Sequence, residues 1–170
     1  MRVAGCGLSP RGILRNRLPM ANINDFRDFD AFKACRAFAR EIGFLVRSTL
    51  RRNRNLADQM ERASISILSN FAEGAERDGN TEFIQFLSVS KGSIGELRAQ
   101  LIYSLDTELI DQIKYDTLDT MATSAGKLVG GLVRYLKTSG RLGRKFENRT
   151  RPIRKKKQAR ARKAQPATRN

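Results

Sequence analysis

The sequence predicts an all-α protein, an antiparallel up-and-down four-helix bundle with a disordered basic C-terminal tail. Apolar residues recur at alternating spacings of three and four along four long stretches, a pattern typical of helices packed side by side. The connections between these stretches are short, which makes consecutive helices antiparallel neighbours. A chain of 170 residues is long enough for one domain with a modest core.

The excess positive charge lies outside the predicted bundle. The net charge of the chain is +16. Residues 1–22 hold four arginines and no acid, residues 23–139 hold sixteen basic and sixteen acidic residues, and residues 140–170 hold thirteen basic residues and one acid. We therefore divide the chain at these boundaries into a flexible N-terminal extension, a neutral four-helix bundle and a basic tail that binds nucleic acid.

The first helix is predicted over residues 25–52. Cys35 lies in its apolar seam and is expected to be a buried thiol, because two cysteines do not make a disulfide framework. The end of this helix is rich in arginine, which favours either a solvated face or a stripe that contacts phosphates. The apolar seam comprises Phe32, Cys35, Ala39, Ile42, Val46 and Thr49.

The second helix is predicted over residues 56–73, after a turn at residues 53–55. Small polar residues at close-packing positions are expected to form hydrogen bonds between helices: Ser64, Ser66, Ser69 and Asn70. Gly74 is predicted to end the helix in the left-handed conformation. The helix has two apolar faces, which is more than a bundle corner needs, so one is expected to meet another subunit. These faces are Leu56, Met60, Ala63, Ile67 and Asn70, and Ile65, Leu68 and Ala72.

The third helix is predicted over residues 81–105. Asn80 or Asp78 can cap its start, and Glu82 in the first turn suits the positive end of the helix dipole. Its residues at alternating spacings of four and three form a heptad seam that faces the other helices. The seam comprises Phe83, Leu87, Ser90, Ile94, Leu97, Leu101 and Leu105.

The fourth helix is predicted from about residue 108 to residue 140, with an interruption near Lys114. Gly126, Gly130 and Gly131 each weaken a helix by up to ~1 kcal/mol. We expect them to be tolerated because they let a neighbouring helix approach closely. The predicted seam comprises Leu118, Met121, Ala125, Leu128, Leu132 and Tyr135.

The candidate nucleic-acid-binding residues form two groups. Residues 140–170 contain too few apolar residues to fold alone, and their cations can neutralise phosphates irrespective of base sequence. Phe146 is the sole aromatic residue there, so base stacking on the tail is not expected. A tail that only aids solubility is the alternative. The tail candidates are Arg154, Lys155, Lys156, Lys157, Arg160, Arg162 and Lys163, and the competing group is Arg47, Arg51, Arg52 and Arg54.

The sequence does not favour an enzyme, a metal site or a cofactor site. The chain has no histidine, the commonest general base and metal ligand. Ser90 and Lys91 are adjacent, so on a helix they point about 100° apart and cannot form a dyad. No apolar run approaches the ~20 residues of a membrane span, and the cytoplasm is the expected compartment.

A set of polar, small and apolar residues carries a family resemblance. The set comprises Gln59, Arg62, Ala63, Ser66, Ile67, Ser69, Asn70, Ala72, Glu73, Gly74, Arg77, Glu82, Phe83, Phe86, Leu87, Gly92, Ser93, Glu96, Leu97, Gln100 and Leu101. Residues 26–136 resemble the bacterial four helix bundle protein family, which includes proteins encoded in intervening sequences of 23S rRNA genes. The chain differs in having Leu68 where the family usually has proline, and in having no tryptophan.

The resemblance implies a ring-like homo-oligomer, most simply a pentamer, and a non-enzymatic accessory role. The family is related in architecture to the accessory proteins of diversity-generating retroelements, which implies RNA or cDNA and a reverse transcriptase as partners. One alternative is an rRNA intervening-sequence protein without a retroelement. Another is a structural oligomer that binds a protein through its helix faces.

Overall fold

The computed structural model describes residues 25–50, 53–77 and 79–139, and the predicted N-terminal extension and tail lie outside them. The described chain forms a 3-10 helix at Phe26–Asp28 and four α-helices: α1 (Asp30–Ser48), α2 (Arg54–Glu76), α3 (Asn80–Asp106) and α4 (Gln112–Thr138). Each α-helix packs against its two neighbours, and within these residues no Cα atoms of the diagonal pairs α1–α3 and α2–α4 lie within 8 Å of each other. The predicted four-helix bundle is confirmed.

Contacts between helices show that neighbours run antiparallel. Ser66 of α2 forms a hydrogen bond of 2.9 Å with Ser93 of α3, which confirms the predicted interhelical hydrogen bond for Ser66. Ser64 and Asn70 instead donate to carbonyls within α2, so the prediction is wrong for them. Ser90, fully buried, donates to the carbonyl of Ile67 at 2.9 Å. In the other pair of helices, Arg98 near the end of α3 contacts Asp119 near the start of α4.

The start of α1 differs from the prediction. Asp25 does not begin an α-helix: its carboxylate accepts a hydrogen bond from the Arg27 amide at 2.8 Å and caps the 3-10 helix. Phe29 is extended, and α1 begins at Asp30. This break lets Phe26, Phe29 and Phe32 gather at the end of the bundle, where ring centroids lie 4.9–5.9 Å from one another or from Phe71 and Phe83.

The far end of α1 is also shorter than predicted. α1 ends at Ser48, and the predicted seam residue Thr49 is exposed. The chain turns there, and Leu50 becomes fully buried in its place. Asn53 then caps α2 by accepting a hydrogen bond from the Leu56 amide at 3.3 Å, so α2 begins two residues earlier than expected. Cys35 is buried and free, as predicted.

The prediction for Gly74 is wrong in its mechanism. Gly74 does not end α2, which continues to Glu76. A Cβ atom at this position would lie 2.6 Å from Phe86 Cβ and 2.9 Å from Phe83 Cδ2. The glycine is therefore required by the close approach of α2 and α3. The predicted cap is also wrong, because the N-cap of α3 is Gly79 and Asn80 is already helical, whereas Glu82 in the first turn is confirmed.

The predicted seams of α2 and α3 face the core. The α3 seam is buried except for half-buried Leu105. In α2, Met60, Ala63 and Ile67 are buried, while the second face is smaller than predicted. Leu68 packs against the core and Ala72 is half-buried, which leaves Ile65 as the exposed member of that face.

The register of α4 differs from the prediction. α4 begins at Gln112, where Asp111 caps it by accepting a hydrogen bond from the Lys114 amide at 2.7 Å. It runs to Thr138 without the expected interruption near Lys114. Leu128 and Tyr135 are 41% and 40% exposed. The sequence offers two overlapping stripes of equal spacing, and the bundle buries the one with smaller side chains: Leu118, Ala122, Ala125, Val129, Leu132 and Leu136.

Candidate nucleic-acid interface

The structure places two of the predicted binding residues at one end of the bundle. Arg47 lies in the last turn of α1, with its guanidinium carbon 5.3 Å from the centroid of the Phe44 ring. Arg54 is the first residue of α2, and both side chains are exposed. Arg51 and Arg52 between them lie outside the described residues, as do all seven predicted tail residues.

The end that carries Arg47 and Arg54 also carries acidic residues. Leu109, from the connection between α3 and α4, lines the same shallow groove as Thr49 and residues 53–55. The connection brings exposed carboxylates to this end, which offset the attraction of the arginines for a polyanion. These carboxylates are Asp106, Glu108 and Asp111.

The α1–α2 connection and Ser139 lie at opposite ends of the bundle. The chain runs up α1, down α2, up α3 and down α4, so the α1–α2 connection and the end of α4 are far apart. α4 has 27 residues, which corresponds to a length of about 40 Å. Ser139, which precedes residues 140–170 in the sequence, is therefore at the end opposite Arg47 and Arg54.

A third basic surface, which the sequence analysis did not identify, lies between α3 and α4. This α3–α4 groove has a volume of about 380 Å³ and four cationic side chains along its edges. Lys91 and Arg98 come from α3, and Lys127 and Arg134 come from α4. The other residues that line the groove are small or aliphatic: Ile94, Gly95, Ala122, Thr123, Gly126 and Gly130.

Three of these four cations have no acidic partner within the described chain. Arg98 donates to Asp119, with Nε 2.7 Å from Oδ1, and this hydrogen bond raises the pKa of the guanidinium. The three described segments contain no ion-pair partner for the other three cations, Lys91, Lys127 and Arg134. The groove therefore has an uncompensated charge of about +3.

The glycines of α4 do not have the predicted role. A Cβ atom at Gly126 would lie 3.9 Å from Ile94 Cγ2, an ordinary van der Waals distance. At Gly130 the first atom met would be Lys91 Nζ, at 3.7 Å. These are ordinary contact distances, so the glycines are not required for a close approach of α3 and α4. The spacing of seven within each pair, Lys91 with Arg98 and Lys127 with Arg134, is a signal in the sequence that could have identified the groove.

The described residues show how Ser90 and the acidic side chains are used. Ser90 Oγ donates a hydrogen bond to the Ile67 carbonyl, whereas Lys91 is exposed. The two side chains therefore point in different directions, as predicted for adjacent residues of a helix. Across the described segments, no group of three or more cysteine, aspartate or glutamate residues could hold a metal ion. None of the described helices combines the length and hydrophobicity needed to cross a membrane.

Comparisons with known proteins agree with the fold. A family model described as 23S rRNA-intervening sequence protein matches residues 27–131. A crystal structure of a protein of unknown function from the S23 ribosomal protein family of Bacteroides thetaiotaomicron is 21% identical, with a TM-score of 0.58 over 61% of this chain and 95% of that chain. No curated protein matches the sequence.

Proposed function

Since the chain belongs to the 23S rRNA-intervening sequence protein family, we propose that it is a non-enzymatic protein that binds RNA or DNA through the phosphate backbone. The observation that carries this proposal is the separation of charge. Residues 23–139 have equal numbers of acidic and basic residues, whereas residues 140–170 hold thirteen basic residues and one acid. Such a cationic segment gains affinity for nucleic acid by releasing condensed counterions.

The salt dependence of binding tests this function. If about six tail cations of one subunit contact phosphates, log affinity for duplex DNA falls with log salt concentration at a slope near −5. Replacing Lys155, Lys156 and Lys157 by alanine is expected to weaken binding to all sequences alike and to flatten the slope by at most about three. The measurement is fluorescence anisotropy with labelled RNA and DNA over a range of salt concentrations.

A variant with four arginines replaced is the comparison. Arg47 and Arg54 lie at the end of the bundle opposite Ser139, and replacement of Arg47, Arg51, Arg52 and Arg54 by glutamine is expected to have the smaller effect although it removes one more charge. If the four-arginine variant abolishes binding while the lysine variant leaves affinity and slope unchanged, the tail is incidental and the α1–α2 end is the binding site.

The more specific form of the proposal is an accessory protein of a diversity-generating retroelement, which would hold a reverse transcriptase together with its template RNA or cDNA. The alternative is a protein of an rRNA intervening sequence without a retroelement, and membership of the 23S rRNA-intervening sequence family favours it. The neighbouring genes discriminate between them: a reverse transcriptase with variable repeats would support the first, and an rRNA operon the second.

A ring-like homo-oligomer, most simply a pentamer, is part of the same proposal. Exposed apolar side chains support it: Ile65 is 57% exposed, and Val89 and Tyr103 are each 52% exposed. An oligomer would present several tails to one nucleic acid and raise the overall affinity through effective concentration. Light scattering that gives the mass of a single chain would refute this part without affecting nucleic-acid binding.

A further inference from the structure

We propose that the α3–α4 groove holds the phosphodiester backbone of a nucleic acid. This inference rests on the proposed function and adds to it a site on the folded bundle. It is carried by three cations without an acidic partner among the described residues, Lys91, Lys127 and Arg134, which lie along the two edges of one groove.

The geometry of the groove suits a chain of phosphates. Residues seven apart on a helix are separated by about 10.5 Å along its axis, and packed helices lie about 8–10 Å apart. The spacing between Lys91 and Arg98 along α3, and between Lys127 and Arg134 along α4, is therefore similar to the distance between the two helices. Each cation can meet a different phosphate, and the mostly small side chains of the lining leave room for the phosphate backbone between the two edges.

Four of the ten described basic residues outside the groove form ion pairs. Arg27 pairs with Asp25, Lys33 with Asp30, Arg40 with Glu41 and Arg77 with Glu73, at N–O distances of 2.5–3.5 Å. Among the groove cations, Arg98 alone is paired within the described residues, through two hydrogen bonds to Asp119. The remaining cations lack an internal counterion, so an external polyanion does not have to displace one.

The lining distinguishes a nucleic acid from an acidic protein segment. Protein interfaces depend on aromatic or large aliphatic anchors that fill pockets, and Ile94 is the sole large apolar residue in this groove. The lining also contains no aromatic side chain on which a base could stack. The groove can therefore contact the phosphate backbone without reading the base sequence.

The position of the groove links it to the tail. Lys127 and Arg134 lie on the last three turns of α4, and Arg134 is five residues before Ser139. Five helical residues correspond to about 7.5 Å. A nucleic acid held by residues 140–170 is thus delivered to the groove at a high effective concentration, so that even a weak groove contact adds to affinity.

The test compares two full-length variants with the same loss of charge. The groove variant is Lys91→Gln, Lys127→Gln and Arg134→Gln, and the control is Arg27→Gln, Lys33→Gln and Arg62→Gln, all at exposed sites outside the groove. With single-stranded RNA of mixed sequence, each lost phosphate contact reduces the salt slope by about 0.7. The groove variant should therefore flatten the slope by about two and bind about 100-fold more weakly at 0.1 M salt, and the control should change both much less.

Three further measurements separate the possible outcomes. A variant that retains the charges, Lys91→Arg, Lys127→Arg and Arg134→Lys, should bind RNA like the wild type, and DNA of the same sequence should respond like RNA. Equal effects of the groove and control variants would overturn the inference while leaving the proposed function intact. Absence of RNA binding by the wild type at low salt would instead overturn the proposed function. Loss of polyglutamate binding without loss of RNA binding would assign the groove to an acidic protein.

Discussion

Replacing Gly74 by alanine is expected to destabilise the protein, although alanine is the better helix former. Gly74 lies inside α2, where the change from glycine to alanine ordinarily contributes about 1 kcal/mol of stability. Here the new methyl group would lie 2.6 Å from Phe86 Cβ, well inside the contact distance of about 3.5–4.0 Å between carbon atoms. Phe86 Cβ is fixed by the α3 backbone, so it cannot move away by a change of rotamer.

The net effect follows from two opposing contributions. Forcing a methyl group into a packed site costs about 1–3 kcal/mol, and occasionally more. The overlap with an atom fixed by the backbone is severe, so the cost lies in the upper part of this range, about 2–3 kcal/mol. After subtraction of a gain of about 1 kcal/mol in helix propensity, we expect a loss of about 1–2 kcal/mol, or about 4–8 °C in the midpoint of thermal unfolding. The adjustment must separate α2 from α3 near Phe71 and Phe83, whose ring centroids are 5.7 Å apart.

Gly92→Ala is the matched control for this prediction. A Cβ atom at Gly92, in the middle of the neighbouring helix, would meet no atom within 4 Å. The same substitution should there stabilise the protein by about 0.5–1 kcal/mol. Thermal unfolding of both full-length variants, followed by far-ultraviolet circular dichroism, measures whether each substitution raises or lowers the stability of the protein. A Gly74→Ala protein as stable as Gly92→Ala would show that the close approach of α2 and α3 does not require glycine.

Two further predictions concern single residues. Glu108, with φ of 55°, is the one non-glycine residue of the described chain in the left-handed region. Glu108→Gly should therefore stabilise the protein by about 0.5–1 kcal/mol, as measured by urea unfolding. An unchanged free energy of unfolding would argue against backbone strain at this residue. Burial raises the pKa of the Cys35 thiol from 9.0 to about 12. The folded chain therefore keeps this proton when the unfolded chain loses it, and the resulting stability is complete below pH 9 and is lost as pH rises towards 12. Relative to Cys35→Ala, the wild type should lose up to about 1.4 kcal/mol per pH unit above pH 9, and parallel pH curves would contradict this.

The sequence predicted those features that depend on a repeated pattern within one helix. The seam of α3 was correct because Leu87, Ile94 and Leu101 lie seven apart and no second apolar stripe competes with them. In α4 the choice between Leu128 and Val129 depends on which neighbour packs there, and periodicity alone does not contain that information. Gly74 was misassigned for a related reason: a glycine that ends a helix and one that admits a neighbouring helix look the same in sequence.

The candidate site illustrates the same limit across two helices. Each pair of cations, on α3 and on α4, is visible in the sequence as a spacing of seven, but only packing brings the pairs to opposite edges of one groove. Packing also decides which predicted groups can cooperate. Arg47 and Arg54 lie about 40 Å from the end of α4. Arg134 lies within two helical turns of that end. A nucleic acid that contacts the end of α4 is therefore closer to Lys127 and Arg134 than to Arg47 and Arg54 of the same subunit.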